Sequence, residues 1–161
     1  MDAGSSLWFG CVVQSSGPEV ILHEGANVQD NCALSAHARE LHIGRDSTIG
    51  HNVVMLDCTV GARSLVGMAS RLAAGTQVDD DCFVAAGTWT QPGQRLAGGG
   101  LWGGRPARRL TDLSDRLRRV ILGSAEVYRA YAAEFAARQA QVTRGANPVT
   151  DEQPDRPGSR K

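Results

Sequence analysis

Lysine is almost missing from this chain. Lys161 is the only one among 161 residues, and every other basic side chain is arginine. Aromatic residues are scarce, at 5%. Neither sign of charge prevails, since 17 basic residues meet 17 acidic ones. That balance argues against a nucleic-acid or membrane partner held by charge. No stretch approaches the roughly 20 apolar residues of a membrane span. The start, Met1-Asp2-Ala3-Gly4-Ser5-Ser6, lacks the basic residues and apolar run of a secretory signal. These absences lead us to expect a cytoplasmic protein. No CxxC pair is present, which argues against a zinc knuckle. With few aromatics and 19 glycines, the core has to be built from small and aliphatic side chains at tight corners.

A six-residue period supplies such a core over residues 41–93. Aliphatic residues recur at Ile43, Ile49, Val54, Val60, Val66, Leu72, Val78 and Val84. A smaller residue follows four positions later, as at Ser47, Val53, Cys58, Ser64, Ser70, Thr76, Cys82 and Thr88. Glycine or alanine often follows the aliphatic residue directly, as in Ile49-Gly50 and Val66-Gly67. This period fits neither an α-helix nor a long alternating strand. It is the pattern of a hexapeptide β-helix, in which three hexads close one triangular coil. No hexad buries its apolar residue alone, so stability comes from stacking. Cys11, Cys32, Cys58 and Cys82 all fall at the small position, and we read them as small buried side chains rather than disulfide partners.

The pattern begins abruptly, with Leu7 and Val13 six apart, and breaks at Gln14-Ser15-Ser16-Gly17-Pro18. Leu22, Val28 and Leu34 resume it, and a slip over residues 36–41 predicts a short protruding loop. One residue is missing between Ile49 and Val54, which predicts a coil bent outward beside His51 and Leu56. Local irregularity in a regular repeat is where sites tend to sit. We therefore expect a β-helix with a glycine-rich return loop over residues 1–110 and a packed helix over 111–140. Thr111 or Asp112 would cap that helix. Its apolar stripe includes Leu113, Leu117, Val120, Ile121, Tyr128, Tyr131 and Phe135. Residues 141–161 are expected to be a disordered tail. The run Gly98-Gly99-Gly100 lacks a GxxxxGK[ST] motif and is not read as a phosphate cradle.

Four blocks together resemble the γ-class carbonic anhydrases. They are Leu7-Trp8-Phe9, Asn27-Val28-Gln29-Asp30-Asn31, Thr48-Ile49-Gly50-His51 and Leu101-Trp102-Gly103-Gly104-Arg105-Pro106-Ala107. The resemblance spans roughly residues 7–138. It implies a left-handed parallel β-helix, a homotrimer, and a C-terminal helix lying antiparallel to the coil. Members of that family usually have a further coil or so before the Trp-Phe block. The resemblance also implies a catalytic zinc between subunits on three histidines. Here those positions read Ser35, His51 and Leu56. An arginine and an aspartate that help hold subunits together in relatives are replaced by Gln14 and Ser16.

Catalytic zinc needs three protein ligands and an open position for water, so we expect no metal and no cofactor here. His37, two positions past Ser35, could join His51 in a remodelled site across subunits, but two residues fall short of three ligands. His23 and His42 read as turn residues. The primary expectation is a trimeric protein without hydratase activity, with a pocket for a small organic ligand at the subunit interface. An alternative is a metal-independent lyase, isomerase, cyclase or thioesterase. In it His51 moves a proton and Asp30 or Gln29 orients it, in a cleft lined by Ser35, Leu56, His37 and Tyr128. A third reading is a hexapeptide acyltransferase, because the block at 101–107 has a cousin there. Fold alone does not choose among these.

Overall fold

The computed structural model describes residues 1–145, with side chains through residue 141. Residues 146–161, most of the expected tail, lie outside the described residues. The chain winds into a parallel β-helix of about five coils. The first coil holds β1 (Ser6–Leu7) and β2 (Val12–Ser15). The second holds β3 (Val20–Leu22), β4 (Asn27–Val28) and β5 (Ala33–Ala36). The third holds β6 (Leu41–Ile43), β7 (Thr48–Ile49) and β8 (Val54–Leu56). Then come β9 (Thr59–Val60), β10 (Leu65–Val66) and β11 (Arg71–Leu72), followed by β12 (Gln77–Val78), β13 (Phe83–Val84) and β14 (Arg95–Leu96).

Strands of successive coils stack into three sheets. Sheet A runs β1-β4-β7-β10-β13, sheet B runs β2-β5-β8-β11, and sheet C runs β3-β6-β9-β12-β14. The aliphatic column fills the interior: Val28, Leu34, Ile43, Ile49, Val66 and Val84 are fully buried. The small column lies beside it and bonds from coil to coil. Ser47 Oγ donates to the Gly61 carbonyl at 2.7 Å, and Ser64 Oγ donates to that of Asp79 at 3.0 Å. Cys32, Cys58 and Cys82 are buried and free, Cys11 is half-buried and free, and Cys32 Sγ lies 3.1 Å from the Gly50 carbonyl. Coils stack so closely that a Cβ on Gly44 would come within 2.4 Å of the Gly61 backbone. That is why glycine follows the aliphatic residue in those hexads.

Several boundaries differ from the sequence reading. Met55, not Val54, faces the interior: Met55 is 0% exposed and Val54 39%. The pairing Leu34↔Met55↔Leu72 keeps a full hexad after Ile49. The short hexad therefore lies between Met55 and Val60, at the corner held by Asp57, and not beside His51. Asp57 accepts the amides of His37 at 2.6 Å and Ala38 at 3.0 Å, which ties down the slipped loop and holds the Asp57 carboxyl below its usual range. The return loop is partly a hairpin, in which β15 (Gly100–Gly103) joins sheet A and pairs antiparallel with β16 (Arg108–Asp112). Because β16 takes Thr111 and Asp112, the helix α1 (Asp115–Gly145) starts later than expected and also takes residues 141–145. Ser114 caps it, with its hydroxyl 3.4 Å from the Leu117 amide.

The three outer faces are unlike. On sheet A, Asn27 and Thr48 are buried, and α1 runs back across β7, β4 and β1. Sheet C presents His42, Thr59, Gln77 and Arg95. Among the described residues no element packs over sheet B, which presents the column Val12, Ala33, Val54, Arg71 and Trp89. Val12 is 62% exposed and Trp89 41%. The guanidinium groups of Arg71 and Arg105 lie 5.1 and 4.6 Å from the Trp89 ring, a cation–π arrangement.

Candidate functional site

The corner between sheets A and B repeats in every coil, and it builds the site. Each corner ends on a left-handed residue: Gly10, Asn31, Asn52, Ala69 and Gly87. The residues just before them, Phe9, Asp30, His51, Met68 and Ala86, therefore stack in a second column. Backbone bonds fix the stack, with Asn52 N donating to the Asp30 carbonyl at 3.0 Å and Ala69 N to that of His51 at 2.9 Å. Coil stacking thus puts a carboxylate directly over an imidazole. Asp30 Oδ2 lies 3.0 Å from His51 Nδ1.

The other ring nitrogen faces the helix. Tyr128 Oη is 3.4 Å from His51 Nε2. Trp8 packs edge-on against Tyr128, with ring centroids 5.3 Å apart. Burial pushes the Tyr128 phenol above its ordinary range, and the Asp30 charge adds to that push, so the group stays protonated and able to donate. With Asp30 accepting from Nδ1–H, the imidazole presents Nε2 as an acceptor toward the Tyr128 hydroxyl. The arrangement can take up or release a proton at Nε2.

An open depression of about 340 Å³ adjoins His51 on sheet A. Its floor is Gly50, Gly67 and Ala85, its walls include Leu65, Phe83 and Met68, and Gln29 lies at one end. No lysine, arginine or carboxylate lines it, so it suits an uncharged ligand.

The expected residues do not all converge. His51, Asp30, Gln29 and Tyr128 gather at the A–B corner. Ser35 and Leu56 are register partners on the outer face of sheet B, with Gln14 next to Ser35. His37 stands apart on the loop beyond β5, its ring 3.2 Å from Ser16 Oγ. His23 and His42 form a chain of their own, 3.3 Å apart, ending on Asp2 and Glu40. Among the described residues no group of three or more His, Cys, Asp or Glu gathers to hold a metal ion. Leu65, Met68 and Phe83 were not foreseen as lining. Stacking the coils in register would have found Met68, which lies one coil after His51 as Asp30 lies one coil before it.

No family model matches the chain. It is 37% identical over 145 residues to gamma carbonic anhydrase 1, mitochondrial, of Arabidopsis thaliana, covering 86% of this chain and 53% of that protein. It is 30% identical over 115 residues to the carnitine operon protein CaiE of Escherichia coli (strain K12), covering 70% of this chain and 59% of that one. The chain thus spans little more than half the length of these relatives. Among solved structures, a hexapeptide transferase family protein from Anaplasma phagocytophilum superposes with a TM-score of 0.75 at 28% identity, covering 84% of this chain and 80% of that one. A putative acetyltransferase from Bacillus cereus shares the fold, with a TM-score of 0.67 at 17% identity over 84% of this chain and 91% of that one.

Proposed function

Since the chain belongs to the hexapeptide-repeat, γ-carbonic-anhydrase-like family, we propose that it is a homotrimer that has lost the zinc site and lacks CO₂ hydratase activity. In this reading it holds a small organic ligand where protomers meet. The observation that carries it is the pairing of Ser35 with Leu56 on sheet B. Sheet B of one protomer would meet the His51 corner of the next, completing the set Ser35, Leu56 and His51. That set offers one imidazole, one hydroxyl and one alkyl group. It does not fit zinc, which needs three protein donors and a site for water. The same surfaces suit an uncharged ligand, because Leu56, Leu65, Met68 and Phe83 are apolar.

The Asp30–His51–Tyr128 chain supports a second reading. An imidazole oriented by a carboxylate beside an apolar depression is an acid–base group, and a metal-independent lyase, isomerase, cyclase or thioesterase could use it.

Zinc content and CO₂ hydration of the purified protein test the first reading. Less than stoichiometric zinc and no hydration are expected. The double substitution Ser35→His and Leu56→His is expected to raise zinc uptake toward one ion per chain. Stoichiometric zinc with hydration in the natural chain would overturn the proposal.

A further inference from the structure

The inner side of the A–B corner is built by the residue that follows each left-handed one: Cys11, Cys32, Val53, Ser70 and Thr88. Two of them are cysteines, and those two are neighbours. Val12 N donates to the Cys32 carbonyl at 2.8 Å, and Val12 pairs with Ala33. Cys11 and Cys32 therefore stand in register in adjacent coils. Cys58 and Cys82 sit at the other two corners, behind Asp57 and Asp81.

Each thiol of the pair holds a peptide group of the site. Cys11 Sγ donates to the Gln29 carbonyl at 3.0 Å, and Cys32 Sγ donates to the Gly50 carbonyl at 3.1 Å. The first carbonyl belongs to the peptide that enters Asp30, and the second to the peptide that enters His51. Asp30 and His51 are the two residues joined at 3.0 Å on the outer side of the same corner. A change at either sulfur is thus felt one peptide away from the carboxylate and the imidazole.

The sulfurs are also placed to join. Strands of adjacent coils lie about 4.8 Å apart, within the Cα separation of about 4.4–6.8 Å that a disulfide spans. Cys11 Sγ leans toward the coil that holds Cys32. Burial pushes the Cys32 thiol up to about 12, and the facing Cys11 thiol adds to that push. Cys11 is half-buried and Cys32 buried, so an oxidant from solvent meets Cys11 first.

We propose that Cys11 and Cys32 are a redox pair under the site, closed by a small disulfide such as oxidised glutathione, and that closure loosens the Asp30–His51 contact. The Cys11 thiolate attacks one sulfur of the small disulfide. The S–S bond of that molecule breaks, and the released thiolate takes up the Cys11 proton. The Cys32 thiolate then attacks Cys11 Sγ. The Cys11–Cys32 bond forms, the mixed disulfide breaks, and a second small thiol leaves with the Cys32 proton. Two protein thiols are oxidised and one small disulfide is reduced to two thiols. To reach Cys11, the Cys32 sulfur turns away from Gly50 toward the first coil. Neither sulfur then carries a hydrogen for the Gln29 or Gly50 carbonyl, and the peptides of Asp30 and His51 are freed to shift. The disulfide needs no assumption about what the corner does, whereas control of function through it rests on the Asp30–His51 corner being the working site.

The test is incubation of the folded full chain with oxidised glutathione at pH 9, where more of Cys32 is thiolate than at neutral pH. Digestion without reductant is expected to give one linked peptide pair, Cys11 to Cys32, with no glutathione retained. Cys32→Ser is expected to retain one glutathione, on Cys11. In the natural chain, the imidazole proton resonances of His51 are expected to move on oxidation and to return with reductant. The same treatment of Cys11→Ser is expected to leave them in place. Glutathione held on Cys11 of the natural chain without a link, or no reaction at all, would overturn the pair. A link with unmoved His51 resonances would overturn its hold on the site. Zinc content, CO₂ hydration and chain mass enter none of these readings, so failure here is distinct from failure of the proposed zinc-free trimer.

Discussion

At the residue scale, the chemistry of this chain is set by what each coil places above and below a side chain. His51 acquires Asp30 because both precede a left-handed corner residue in adjacent coils. The cysteines follow the same logic with the opposite result. Burial pushes the thiols of Cys32 and Cys58 up to about 12 and that of Cys82 up to about 11. The thiolate is the reactive form, so these three stay inert at neutral pH. Titration of the native protein with a thiol reagent at pH 8 is expected to modify Cys11 alone. All four should react after unfolding. Rapid modification of Cys58 in the folded protein would contradict this packing.

At the element scale, the corners decide stability. Glycine, asparagine or aspartate occupies most left-handed positions, but Ala69 sits at φ 58°. A left-handed conformation costs an L-residue about 1–2 kcal/mol, while glycine costs about 0.5–1 kcal/mol in chain entropy. Ala69 is exposed, so trimming its methyl leaves no cavity. Ala69→Gly is therefore expected to stabilise the fold by about 0.5–1 kcal/mol, read as a higher urea midpoint. A lower midpoint would show that the corner is not strained.

The coil itself was legible in the sequence because its period differs from that of other regular structures. Register was less legible at Val54-Met55, where two adjacent apolar residues competed for one interior position. Pairing with Leu34 and Leu72 decided for Met55, and that information lies 21 and 17 residues away. β16 was hidden for a similar reason. Arg108, Arg109 and Thr111 carry no alternating apolar pattern, and only the hairpin partner β15 makes them a strand. Of the candidate site, His51, Asp30, Gln29 and Tyr128 were foreseen individually. Their convergence depends on coil stacking and on the path of α1.

At the scale of the whole molecule, the three outer faces divide the labour: one holds the helix, one meets water, and one carries no element among the described residues. Sheet B has a largely apolar column and, among the described residues, no packed element, so the proposed trimer would use it. Val54 lies in the middle of that column. Val54→Arg is expected to reduce a trimer to single chains, by light scattering, while leaving the β-helix folded. A trimer that withstands this change would move the association surface elsewhere.

The helix α1 touches coil after coil through Tyr128, Arg129 and Phe135. It therefore acts as a splint laid across a stack of plates. Tension applied at the first plate is shared along the splint and not borne by one seam. The stack should give way only after the splint peels off, in a single late rupture followed by easy unwinding.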